Sequence, residues 1–400
     1  MIMIGSHMSQ AVIVDAVRSP MGRGRPGGAL SSVHPVDLLA QVLTALVTRS
    51  QLDPGRVDDV LVGCVGQAGE QSATPGRMAW LAAGFPDHVP SVTIERKCGS
   101  GQQAVDFAVQ GIVAGAYDIV IAAGVESMSR VPMGSARMGA DPFGAGVHAR
   151  YGDLVPQGVS AELVADKFGL SREELDAYSA QSHARAARAS GEGEFDAEIV
   201  PVLRPDGTVV SRDETIRPDT TAERLGGLKP VFGTEEMRER FPHLAWKVTA
   251  GNSSQITDGA AALLLMSEER ADQLGLHARA CVVASAVCGD DPLLMLTGPI
   301  PATRRVLDRA RMTIGDIDAI EVNEAFASVP LAWLREFDAD PAAVNPRGGA
   351  IALGHPLGAS GVRLLTTMLG QLDATGGRFG LQTMCEAGGM ANAMIVERLG

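Results

Sequence analysis

The stretch Glu95-Arg96-Lys97-Cys98-Gly99-Ser100-Gly101 sets one thiol just ahead of a run with helical spacing: Ala104, Val105, Ala108, Val109, Ile112 and Val113. A thiol at a helix start meets the positive end of the dipole and unpaired N–H groups, which favour thiolate. Flanking glycines let a ligand approach the backbone closely. The same stretch serves equally well as a small buried cysteine in a strand-to-helix turn. Farther along stand Asn323-Glu324-Ala325-Phe326, Gly354-His355-Pro356 and Cys385-Glu386-Ala387-Gly388-Gly389. Together these supply a cysteine nucleophile, a histidine to take its proton, a second thiol to move protons and an amide donor. Acyl transfer through a thioester needs such a set. Singly, each has a plainer account: His355 as a turn residue, Cys385 as an inert core thiol, Asn323 as a strand-end cap.

Short apolar runs carry these residues. Ala11–Asp15, Val60–Val62 and Tyr117–Ala123 read as buried strands, and Val36–Arg49 as a helix with Leu39, Val42, Leu43 and Leu46 on one stripe. Such alternation predicts a mainly parallel sheet covered on both faces. Shifted by 260 residues, the chain matches itself: Asp53–Gly63 falls on Thr313–Asn323, Cys98–Gly101 on Gly358–Gly361, Tyr117–Ala123 on Gly377–Thr383, and Glu126 on Glu386. Four ordered matches at one offset imply a duplicated α/β unit rather than a solenoid. Pseudo-symmetry can then bring equivalent loops to one shared site. The middle, roughly Ser127 to Lys247, belongs to neither copy. Its Ser171 and Glu174 form a capping box, and an insertion after a strand end suits substrate binding, oligomer contacts or both.

Composition narrows the classes. A formal charge of −13 argues against non-specific nucleic-acid binding. The five cysteines (Cys64, Cys98, Cys281, Cys288 and Cys385) lack paired metal spacing and fit free thiols in a reducing, cytoplasmic setting, with no metal expected. No apolar run is long enough to span a bilayer, so no membrane partner is expected. Residues 1–8, ending Gly5-Ser6-His7-Met8, look like an expression-tag remnant.

The four motifs occur in the order and spacing of the thiolases, which the chain resembles over essentially all its length after the tag. The resemblance implies an α/β, five-layered α-β-α-β-α core built from two duplicated halves, with an inserted loop domain. It places the N-terminal half at 9–127, completed by 248–277. The loop domain, for CoA binding and oligomer contacts, would span 128–247 and the C-terminal half 278–400. It also implies a homodimer or homotetramer, with coenzyme A as substrate and no other cofactor. Cys98 would hold the acyl group; His355 would activate it and help stabilise the thioester oxyanion. Asn323 would hold the water completing that hole, and Cys385 would be the acid or base on the other reactant. The N–H groups of Cys98 and Ala387 would form a second oxyanion hole. Ser254 and Arg217 would contact CoA.

Two departures matter. Many thiolases have Cys-Ile-Gly-Gly-Gly where this chain has Cys385-Glu386-Ala387-Gly388-Gly389, so the second hole survives only if Ala387 keeps a negative φ. Short-chain biosynthetic thiolases carry His-Met-Gly where Pro156-Gln157-Gly158 stands. That, with Arg130–Met133, leans toward degradation of longer or bulkier 3-ketoacyl-CoAs. The alternatives are a short-chain acetoacetyl-CoA thiolase and a non-catalytic acyl-CoA-binding subunit. A decarboxylating ketoacyl synthase would lack Cys385, and a Cys98–Cys385 redox sensor fits regulation better than a primary role.

Overall fold

The computed structural model describes residues 10–400; the segment 1–8, read as a tag remnant, lies outside them. Nine strands form the main sheet: β1 (Ala11–Arg18), β2 (Asp59–Gly63), β3 (Ser91–Ile94), β4 (Ile119–Ser127), β5 (Thr257–Ser267), β6 (Ala280–Gly289), β7 (Ala319–Val322), β8 (Phe379–Glu386) and β9 (Met390–Arg398). Their order is β7-β8-β9-β6-β1-β5-β4-β2-β3, and the two-residue strand Gly22–Arg23 pairs with β5. The sheet divides at β1 and β6, which share only Val12–Cys281 and Ile13–Ala280.

On either side the same pattern repeats. β2 runs parallel to β4, which is antiparallel to β5, which is antiparallel to β1. Likewise β7 runs parallel to β8, then β9 and β6 follow antiparallel. The sheet is therefore mixed rather than mainly parallel as the strand–helix alternation predicts, and the short turn between β8 and β9 can only join antiparallel neighbours. The copies agree in detail at the offset read from the sequence. Asp58 Oδ2 accepts from the N–H groups of Asp118 and Ile119, at 2.6 and 2.9 Å. Asp318 Oδ2 does the same for Arg378 and Phe379, at 2.7 and 2.9 Å. The equivalent of β3 is reduced to a single parallel bridge between Ile320 and Val344.

The long helices are α1 (Pro35–Arg49), α2 (Pro75–Ala82), α3 (Ser100–Val113), α4 (Gln157–Lys167), α5 (Arg172–Gly191), α6 (Pro299–Ala310), α7 (Ser328–Phe337) and α8 (Leu357–Thr375). α1 starts one residue earlier than its apolar stripe predicts, because Pro35 suits the first helical position and His34 caps it. Leu38, Leu39, Val42 and Leu46 of α1 cover the outer face of the first half-sheet with Trp80 of α2. Ile300, Val306 and Trp333 of α6 and α7 cover the outer face of the second. Between the half-sheets lie α3 and α8, whose Ala104, Val105, Ala108, Val362, Leu365 and Met368 belong to one core cluster with residues of both. Five layers result, α-β-α-β-α.

The central helices begin almost in backbone contact. A Cβ on Gly124 would stand 2.2 Å from the Gly358 carbonyl oxygen, and one on Gly101 would stand 2.7 Å from it. Glycine is required there by space, since any side chain would push apart the two helix starts that carry Cys98 and His355.

The segment between β4 and β5 holds α4 and α5. Ser171 caps α5 with a full capping box through Glu174, as its sequence predicts. Buried Arg18 at the end of β1 roots the segment through ion pairs to Glu198 at 2.6 Å and Asp213 at 2.7 Å.

Candidate active site

Cys98 lies in the turn between β3 and α3, after Lys97 at φ +48° and before the N-cap Gly99. Ser100 Oγ fixes that turn, accepting from Arg96 N–H at 2.8 Å and donating to the Lys97 carbonyl at 2.6 Å. The thiol is buried, and burial pushes its pKa up to about 12, with the Glu386 carboxyl opposing the thiolate further. A hydrogen bond from the Gln157 side chain, at the start of α4, works in the other direction. The helix start alone predicts a thiolate; the structure reverses that, because desolvation outweighs a dipole effect of roughly 1 kcal/mol.

His355 occupies the equivalent turn ahead of α8. Its backbone N–H donates to Thr257 Oγ1 at 3.0 Å and to the Gln255 carbonyl at 3.1 Å. Gly354, at φ +92°, permits this, since a Cβ there would meet Thr257 Oγ1 at 2.3 Å. The ring is held by Ser360, whose Oγ lies 2.6 Å from Nδ1 and donates to the Pro356 carbonyl at 2.9 Å. With its proton committed to Pro356, Ser360 accepts from Nδ1–H, which leaves Nε2 unprotonated. Asn323 Nδ2 is 3.5 Å from that Nε2. Burial, and then the charge of Arg363, push the His355 pKa down to about 3, so the imidazole rests neutral.

Asn323 follows β7 directly and is anchored by its N–H to the Thr383 carbonyl at 3.0 Å. Its buried Oδ1 has no protein partner, which leaves it open to a donor such as water. The next residue, Glu324, ties the loop down: Oε1 accepts from Tyr178 at 3.0 Å and Asn345 at 3.1 Å, and Oε2 from Ser182 at 2.7 Å and Ile351 N–H at 3.0 Å.

Cys385 sits one residue from the end of β8. Burial, and then the charge of the nearby Cys98, raise its pKa well above the ordinary thiol value, so the thiol form is favoured. In the following turn the left-handed positions are Gly388 at φ +90° and Gly389 at φ +73°, and Ala387 keeps a negative φ. The condition set by the sequence for an N–H donor there is met.

The residues expected to touch CoA lie at the rim. Ser254 is half-buried, its N–H bonded to the Ala325 carbonyl at 2.9 Å. Exposed Arg217 reaches the neighbouring Gln255 Oε1 at 3.2 Å, which brings it beside Ser254. A cleft of roughly 340 Å³ lies between Leu154, Pro156, Val159, Phe232 and Met237. Phe232 packs edge-on against Phe326, with ring centroids 5.9 Å apart. Ser360, Thr257, Gln255 and Gln157 are not evident in the sequence motifs, although Ser360 stands 260 residues after Ser100 and repeats its turn-fixing role.

Among the described residues no group of three or more His, Cys, Asp or Glu could hold a metal ion, and no helix is long and apolar enough to cross a membrane.

Residues 11–269 match the thiolase N-terminal domain family and residues 276–398 the thiolase C-terminal domain family. The chain is similar to the steroid 3-ketoacyl-CoA thiolase FadA6 of Mycobacterium tuberculosis, with 47% identity over 99% of this chain and 96% of that protein. It is 46% identical to a beta-ketoadipyl-CoA thiolase of Pseudomonas knackmussii, over 98% of this chain and all of that protein. Among solved structures, the acetyl-CoA acetyltransferase of Bacillus anthracis superposes with a TM-score of 0.87 at 39% identity, over 98% of this chain and 99% of that one.

Proposed function

The chain belongs to the thiolase family of acyltransferases, and we propose that it acts degradatively, cleaving 3-ketoacyl-CoAs longer or bulkier than acetoacetyl-CoA. What supports the catalytic part is that Cys98 and Cys385, from opposite halves of the fold, are both buried and close enough for one to act on the other's ionisation. In this reading His355 Nε2 takes the Cys98 proton as the sulfur attacks C3 of the substrate. The C2–C3 bond breaks, its electron pair goes to C2, and Cys385 protonates C2 to release acetyl-CoA. The CoA thiol then gives its proton to Cys385 and attacks the Cys98 thioester. As the shortened acyl-CoA leaves, His355 returns the proton to Cys98. Asn323 with its water and His355 would stabilise the thioester oxyanion, and the Cys98 and Ala387 N–H groups the other. Ser254 and Arg217 would hold CoA, the arginine meeting phosphate.

The substrate lean rests on Pro156-Gln157-Gly158, whose Gln157 side chain acts on the Cys98 thiol and whose Pro156 lines the cleft at Phe232. Relatives named for steroid and ketoadipyl thioesters support it. CoA-dependent cleavage of a graded series from acetoacetyl-CoA to branched and ring-bearing 3-ketoacyl-CoAs tests it. Higher kcat/KM for the bulkier members is expected; a maximum at acetoacetyl-CoA would make this a short-chain thiolase instead.

The reading includes a homodimer or homotetramer. β3 is an edge strand with Val92 exposed, it leads directly to Cys98, and Phe107 of α3 is 41% exposed. In the segment after β4, Met133, Met138 and Tyr151 are exposed too. Light scattering at micromolar protein should give two or four chains; a monomer with full thiolysis would refute this part.

A further inference from the structure

The duplication sets up a comparison between two buried glutamates, Glu126 at the end of β4 and Glu386 at the end of β8, which are 260 residues apart. Glu126 closes the turn ahead of α8. Its carboxylate accepts from Gly358 N–H at 2.9 Å, Val65 N–H at 3.0 Å, Gly66 N–H at 2.9 Å and Gln71 Nε2 at 3.0 Å. These four donors, one of them from the start of α8, favour the ionised carboxylate against the burial that pushes it up.

Glu386 stands in the same relation to α3 without any of this. The residue equivalent to Gly358 is Cys98, and neither Glu386 oxygen has a hydrogen-bond partner although both are buried. The carboxyl is pressed against Gly99: a Cβ on Gly99 would meet Glu386 Oε1 at 1.9 Å and Asn392 Nδ2 at 2.7 Å. Gly99 has φ −83°, which any residue adopts, so its lack of a side chain serves space, admitting this carboxyl and the Asn392 amide. A carboxylate buried without donors is strongly disfavoured, and a neutral carboxylic acid is not.

We propose that Glu386 is a positioning residue that acts on the reaction through Cys98: as the neutral acid it leaves the thiol free to give up its proton, and as the carboxylate it opposes that step. The proposal rests on the reading of Cys98 as nucleophile. Burial pushes the Glu386 carboxyl up to about 8, Arg96 pulls it back, and Asp106 and Glu95 push it further. Among the charges acting on Cys98 that of Glu386 is the largest, and it also opposes ionisation of Cys288 on β6 and of Cys385 on its own strand. Asp106 of α3 and Glu126 are the other buried acids here, and Glu126 also opposes ionisation of Cys98, less than Glu386 does. Burial pushes Asp106 up to about 7, against Ser285 of β6 and the charges of Arg96 and Arg309. The sign follows directly: Glu386 is protonated below pH 8, and as pH rises through that value it ionises and suppresses the Cys98 thiolate.

The test is the rate of Cys98 alkylation by iodoacetamide, located by peptide mapping, from about pH 6 to pH 10. In wild type the rise with pH should break and flatten near pH 8. In Glu386→Gln it should continue and end roughly tenfold faster, the equivalent of one pKa unit. Asp106 and Glu126 are present in both, so the difference isolates Glu386. Superimposable profiles would overturn the proposal with Cys98 still the nucleophile. If Cys98 is not alkylated and Cys98→Ala still cleaves substrate, the nucleophile reading fails and takes the proposal with it. Should Glu386→Gln not fold, Glu386→Asp decides: its break must move away from pH 8, and an unmoved break overturns the proposal.

Discussion

Cys98→Ala is expected to lower thiolysis on the order of 10⁶-fold, the scale on which removal of a covalent nucleophile acts. The loss should fall on kcat, with acyl-CoA still binding, because Ser254 and Arg217, the residues proposed to hold CoA, make no contact that depends on the thiol. Exchanging a buried thiol for a methyl removes one heavy atom and costs about 1 kcal/mol of stability, so the fold should persist. The resting state explains why the sulfur needs its neighbours. Burial holds the Cys98 thiol up to about 12 and the His355 imidazole down to about 3, which disfavours a thiolate–imidazolium pair before substrate arrives. Proton transfer to Nε2 becomes favourable only as negative charge moves from sulfur to a substrate oxygen held by preorganised donors. Steady-state kinetics with a CoA-binding measurement on the same variant checks this. Binding lost together with turnover would point to a structural thiol.

Cys385→Ala should separate the half-reactions. Cys98 should still take an acyl group from an acyl-CoA, though more slowly, because in the proposed cycle the CoA thiolate can leave without the proton that Cys385 would give it. Proton traffic at C2 should fail, and overall cleavage should drop by roughly 10²–10⁴-fold, the range for a general acid–base group. Exchange of the acetyl-CoA methyl protons with deuterated water reports that step alone. Wild type should exchange and Cys385→Ala should not. Retained exchange in the variant would assign the C2 proton to another group.

Much of this site is legible in the sequence because its chemistry sits in short motifs. Cys98, Asn323, His355 and Cys385 each stand beside glycines or at strand ends, and the internal match at 260 residues is enough to pair the two halves that carry them. The fold follows from the same match, down to the paired caps at Asp58 and Asp318. The parts that escape are those assembled over distance. Ser360 sets the His355 tautomer, Gln255 and Thr257 hold its backbone, and Gln157 reaches Cys98 from an inserted helix. None has a local signature for that work. The ionisation of Cys98 escapes for the same reason. A helix start is visible in sequence, whereas the burial that overrides it comes from residues hundreds of positions apart. In sequence Glu386 is only a departure from the usual motif; its contact with Gly99 and its lack of donors give it meaning.

The most direct measurement is rapid quenching of the enzyme with a 3-ketoacyl-CoA in the absence of free CoA, followed by mass analysis of the cysteine peptides. The acyl group should appear on the peptide bearing Cys98, in near-stoichiometric amount, and not on those bearing Cys64, Cys281, Cys288 or Cys385. An acyl group on another cysteine, or cleavage with no acylated peptide, would contradict the covalent mechanism.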